Sequence, residues 1–208
     1  MDTPRRKLLD GAMATNMFNL GMPKNICIEE FLLDNSSLIK GLQKQFVESG
    51  SDIIYAPTFS ANFARLKRFD KQDMVYDYNK RLLALSKEIC GEKLVAGNLS
   101  PTGLIGNVNE DCTFEEIFDI YKQQANALKQ ADIFAIETMY SLKEAKAAVL
   151  ACKEYDIPIF VTFTIKENGK TFLGEDVLAI LISLQDLGIS AFGLNCCTVD
   201  TMLPYIKE

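Results

Sequence analysis

Apolar residues along the chain gather into short runs separated by stretches of helical periodicity. The runs are KLLDG (7–11), SDIIYAPTF (51–59), KLVAGNL (93–99), ADIFAIET (131–138), IPIFVTF (157–163) and ISAFGLNC (189–196). Their richness in Val, Ile and Phe marks them as strands, and their near-continuous apolar character marks strands covered on both faces. They start near positions 7, 52, 93, 132, 158 and 190, which leaves room for a helix after each one.

The intervening segments supply those helices. In TFEEIFDIYKQQANAL (113–128), Thr113 and Glu116 form an S/T-x-x-E capping box, and Phe114, Ile117, Phe118, Tyr121, Ala125 and Leu128 make one apolar stripe. In SLKEAKAAVLACKEYDIP (141–158), Ser141 and Glu144 repeat the box, Leu142, Ala145, Val149 and Cys152 share a face, and Asp156 and Pro158 end the helix. Apolar strands alternating with amphipathic helices predict an α/β fold with a parallel sheet. An open dinucleotide-binding sheet calls for a G-x-G-x-x-G turn after the first strand, and LDGAMATNM lacks one. The expectation is a (β/α)₈ barrel as a single domain spanning 1–208. Six βα units fill 208 residues where such a barrel takes about 250, so the pattern ends after the sixth unit.

Composition narrows the chemistry. The formal charge of −6 offers no broad basic surface for nucleic acid. No run of about 18 apolar residues and no signal-like segment is present, so no membrane contact is expected and a cytoplasmic location is the default. Six cysteines lie scattered without a C-x-x-C pair, which argues against a disulfide framework and a zinc ribbon. The chain has no histidine, so a Ser-His-Asp triad, a Cys-His pair and a histidine-held metal are all excluded within it. Carboxylates, thiolates or a thiolate-held metal remain.

In a barrel, functional groups stand at the C-terminal strand ends. Those ends carry Asp10, Gly11 and Ala12, then Thr58 and Phe59, Asn98, Glu137 and Thr138, and finally Asn195, Cys196 and Cys197. Each has a plainer reading. Asp10 before Gly11 also suits a turn, Glu137 a structural carboxylate that has found a partner, and Cys196 a small core residue. No lysine stands at a strand end to form a Schiff base, which disfavours an aldolase. A carboxylate pair can hold an ammonium, and a thiolate can hold Zn²⁺, which lowers the pKa of a bound thiol.

LLDGAMAT (8–15), VESGSDIIYAPTFSAN (47–62), LVAGNLSPTG (94–103), IETMYSLKEAKAAVLACKE (136–154), FTIKENGKTFLGED (163–176) and FGLNCC (192–197) resemble, in order and spacing, the homocysteine S-methyltransferase family, most closely the homocysteine module of its cobalamin-dependent members. The resemblance implies a barrel that binds homocysteine through zinc and methylates its sulfur to give methionine. It implies Cys196 as one zinc thiolate, and Asp10, Gly11, Ala12, Thr58, Phe59, Glu137 and Asn195 as the lining of the amino-acid site. It also implies a methyl donor such as methylcobalamin held by another cobalamin or folate module. The family usually reads Thr-Asn-Thr-Phe and Gly-Pro-Thr where this chain has Ala56-Pro57-Thr58-Phe59 and Ser100-Pro101-Thr102, and its other two zinc cysteines lie in a Gly-Gly-Cys-Cys-Gly motif near strand eight. The expectation is therefore a partial site, with self-association through open barrel edges or a metal-free binding module as the alternatives.

Overall fold

The computed structural model describes residues 6–106 and 112–206. Five strands, β1 (Ile53–Tyr55), β2 (Leu94–Leu99), β3 (Ile133–Met139), β4 (Ile159–Phe163) and β5 (Ala191–Leu194), form one parallel sheet in the order β1-β2-β3-β4-β5. Spatial order equals chain order, so the described strands contain no switch point. That is the winding of a barrel wall and not of a doubly wound sheet.

The helices follow the predicted spacing. They are α1 (Met13–Asn19), α2 (Ile28–Asp34), α3 (Ser36–Glu48), α4 (Phe63–Lys67), α5 (Val75–Cys90), α6 (Phe114–Ala127), α7 (Leu142–Cys152), α8 (Val177–Gln185) and α9 (Val199–Ile206). Strand side chains alternate between two faces. Ile54, Val95, Leu99, Phe134, Ile136, Val161 and Phe163 pack into the main core with Tyr121, Ala125 and Val149 from the helices. The opposite face gathers Ile53, Ala96, Ile133 and Ala135 with Tyr55 and Phe160. Continuing that inner alternation by two residues reaches Asn98, Glu137 and Thr162, which is why polar groups emerge together where the strands end.

Two sequence expectations change in the structure. The first run forms no extended strand: Leu9 makes a single parallel bridge to Ile53, and Leu8 and Leu9 are exposed. With no described strand on their outer side, their apolar faces have little to bury against. The Thr113–Glu116 capping box forms in full. The Ser141 box forms only by half, because the Glu144 backbone N–H donates to Ser141 Oγ while the Glu144 side chain turns inward to Thr102 and Tyr121. Cys27, Cys90 and Cys152 are buried thiols and Cys196 is an exposed one.

Candidate functional site

A cavity of about 530 Å³ opens at the C-terminal end of the sheet. The chain leaves the Leu9 bridge through Asp10, Gly11 and Ala12, enters α1, and so lays one wall. At Gly11 a Cβ would stand 2.8 Å from Phe46 Cε1, so the close packing of this turn on α3 asks for glycine. The strand ends supply Tyr55, Asn98, Glu137, Thr138, Thr162, Asn195 and Cys196, and the segment after β1 supplies Pro57, Phe59 and Ser60.

Asp10 Oδ2 accepts the Tyr55 backbone N–H at 2.9 Å. Burial, opposed by that bond and aided by the nearby Glu137 charge, pushes the Asp10 carboxyl up to about 7. Glu137 accepts Asn98 Nδ2 at 2.6 Å on Oε1 and Asn195 Nδ2 at 3.3 Å on Oε2. Burial raises its pKa too, against the lowering effect of the Asn98 amide. Asn98 is itself buried, and its Oδ1 has no protein partner. The lining includes a third carboxylate, Glu29, but no Lys or Arg. The buried Glu29 carboxyl is raised to about 7 by desolvation, with its oxygens accepting the Ser60 N–H at 3.1 Å and the Cys27 thiol at 3.8 Å. A half-enclosed cavity lined by three carboxyls and by no Lys or Arg suits a ligand carrying an ammonium group.

Of the residues expected at the site, Asp10, Gly11, Ala12, Phe59, Glu137, Asn195 and Cys196 line the cavity together. Thr58 does not line it. It is fully buried, and its hydroxyl donates to Asn98 O at 2.9 Å and accepts Asn98 N–H at 3.0 Å, stitching β1's exit to β2 behind the wall. Sequence reasoning passed over Tyr55, Glu29 and Thr162 as lining residues. Tyr55 and Thr162 carry a period-two signal on the inner face, whereas Glu29 comes from α2 and has no strand-end signature.

Zinc takes four ligands in a closed site. Among the described residues no three His, Cys, Asp or Glu side chains stand where they could hold a metal ion. Cys196 places one thiol at the cavity rim, and Thr138 Oγ1 lies 3.6 Å from its sulfur. The donors gathered among the described residues therefore do not fit zinc by themselves.

A parallel barrel wall with a carboxylate-lined cavity and a thiol at the strand ends defines a (β/α)-barrel class of domain with its candidate site at the strand ends. The homocysteine S-methyltransferase family model matches residues 7–208, and the chain belongs to that family. Methionine synthase from Mycobacterium leprae (strain TN) is 25% identical over 210 residues, covering 91% of this chain and 17% of that protein. Methionine synthase from Mycobacterium tuberculosis (strain ATCC 25618 / H37Rv) is 24% identical over 214 residues, covering 91% and 18%. The chain thus spans about one sixth of the length of these curated relatives. The crystal structure of the homocysteine methyltransferase MmuM from Escherichia coli in its metallated form superposes with a TM-score of 0.83 at 19% identity, over 96% of this chain and 77% of that one. The oxidized form gives 0.83 at 20%, over 94% and 75%. The barrel-type fold is shared with them.

Proposed function

We propose that the chain is the homocysteine-binding part of a homocysteine S-methyltransferase of the methionine synthase type, folded as one domain over 1–208. The observation that carries this reading is the cavity in which Asp10 and Glu137 converge with no Lys or Arg in the lining. An ammonium entering there replaces lost hydration with two carboxylates and the unpartnered Asn98 Oδ1. Gly11, Ala12 and Phe59 shape the wall, and Asn195 orients Glu137.

Anchoring the ammonium leaves the homocysteine sulfur free to face the rim at Cys196. In the transfer, a sulfur–methyl bond forms, the methyl–donor bond breaks with its electrons leaving on the donor, and the thiol proton is released. The methyl source is a separate donor, with methylcobalamin on another module as the reading that the sequence resemblance implies. Cys196 is one thiolate donor toward zinc, and the remaining donors are not gathered among the described residues. That lone donor favours, as a second reading, a binding module that works without metal.

Calorimetric titration of homocysteine into the reduced chain, beside Asp10→Asn and Glu137→Gln, tests the first reading. Saturable binding lost in both variants supports it, and absence of binding to the native chain overturns it. Zinc content per chain, with Cys196→Ser as control, separates the two readings of the metal. Stoichiometric zinc that the variant loses favours the zinc enzyme, and equal trace zinc in both favours the metal-free module.

A further inference from the structure

Among the described residues, four that are not glycine hold a left-handed backbone: Asn25, Asp70, Thr138 and Cys196. Asn and Asp tolerate this conformation, whereas a β-branched residue there is an outlier. The two without that excuse, Thr138 at φ 61° and Cys196 at φ 53°, face one another across the rim of the cavity. They belong to different strand ends, so sequence proximity does not explain the pairing.

Local structure shows how Thr138 is held. Ile136 pairs with Val161 and Met139 with Phe163, so β3 spends one more residue than β4 over this stretch, and the bulge falls at Glu137 and Thr138. The Thr138 N–H is served by side chains, donating to Thr162 Oγ1 and to Asn195 Oδ1, each at 3.2 Å. That contact fixes which way the Asn195 amide points. Its Nδ2 then donates to Thr138 Oγ1 at 2.8 Å and to Glu137 Oε2 at 3.3 Å. With its oxygen already accepting, the Thr138 hydroxyl has Cys196 Sγ as the neighbour to which its own hydrogen can go.

We propose that Thr138 is a positioning residue of the site, and that its strained backbone and its hydroxyl, both locked by Asn195, hold the Glu137 carboxylate and the Cys196 sulfur in one arrangement for the ligand. Strain of this kind persists where surrounding contacts over-determine it, and it concentrates at functional sites. The inference rests on the homocysteine-binding reading. It goes beyond that reading by giving a role to a residue that contributes no charge and no metal bond.

Three substitutions separate strain from hydroxyl. Thr138→Ala and Thr138→Gly both lack the hydroxyl, and in an extended strand alanine is the more stable of the two. At a left-handed position the order reverses, so Thr138→Gly should unfold at the higher temperature. Thr138→Ser keeps the hydroxyl and should bind homocysteine within about two-fold of the native chain, while Thr138→Ala should bind about five-fold more weakly or worse. Rescue by serine is the readout that a merely structural role would not move. Thr138→Ala melting above Thr138→Gly, or Ala and Ser variants binding alike while the native chain binds, overturns this proposal alone. A native chain that binds no homocysteine overturns the functional reading and this proposal with it.

Discussion

Two glutamates seven positions apart, Glu137 at the end of β3 and Glu144 in the first turn of α7, show how the same side chain serves two ends. Glu144 is fully buried, and its Oε1 takes the Thr102 N–H at 2.6 Å, the Thr102 hydroxyl at 2.5 Å and the Tyr121 hydroxyl at 3.1 Å. Those donors come from the segment after β2 and from α6, so this carboxylate is a tie between elements. Glu137 takes two amide N–H groups and otherwise faces the cavity, with Asp10 as its charged neighbour there. Glu144 is fully buried and Glu137 partly so, but burial alone does not assign their roles. Where the donors come from, and whether open space remains, does.

The largest effect should follow removal of the tie. Glu144→Ala leaves the Thr102 N–H and hydroxyl buried without their acceptor and the Tyr121 hydroxyl with Ser100 O alone, a loss of roughly 3 kcal/mol or more in folding stability. Urea unfolding measures it, and a loss below about 1 kcal/mol would show that the network is not structural. Glu137→Gln should do the opposite. Stability stays within about 1 kcal/mol, because the amide oxygen still accepts from Asn98, while homocysteine affinity falls roughly ten-fold or more with the lost charge. Equal affinities in calorimetry would place the ammonium elsewhere.

That contrast was half legible in the sequence. Buried parallel strands read as apolar runs, so Glu137 directly after DIFAI, Asp10 after KLL and Asn195-Cys196 after FGL could be assigned to one mouth from spacing alone. Asn98 carried the same signal as a polar residue two places after Ala96. Glu144 read as a helix cap, since S-x-x-E matches the box and nothing local reveals that Thr102 and Tyr121 stand closer. Glu29 reaches the cavity only because α2 packs beside the segment that follows β1, a tertiary fact with no local pattern. The left-handed turn at Thr138 is still less visible, because threonine is the wrong residue type to announce one.

Proton linkage sharpens the comparison next. The Asp10 and Glu29 carboxyls sit at about 7 in the folded chain, whereas unfolded carboxyls ionise near roughly 4. Between those values the unfolded state holds fewer protons, so these groups make stability fall as pH rises from about 4 to 7 and level off above. An ammonium ligand prefers ionised carboxylates, so homocysteine affinity should rise several-fold, to about ten-fold, through the same window. Titrations in two buffers of different ionisation enthalpy should then report proton release on binding at pH 6.5. Glu137→Gln removes a charge that raises Asp10, and the window should move to lower pH. An unmoved window would mean that the two carboxylates are uncoupled.

The smallest expected effect concerns Thr58, one residue before Phe59 and yet on the far side of the wall. Its hydroxyl is committed in both directions to the Asn98 backbone, and the α6 residue Gln124 holds its carbonyl through Nε2 at 2.9 Å. Thr58→Ser keeps every one of those bonds and deletes a buried methyl, a cost of about 1 kcal/mol in stability. Homocysteine affinity should change by less than about two-fold, because nothing that faces the ligand has moved. A larger loss would show that the Thr58–Asn98 stitch sets the position of the Asn98 amide that holds Glu137. In that case the boundary between the tie and the site would run through Asn98 and not behind it.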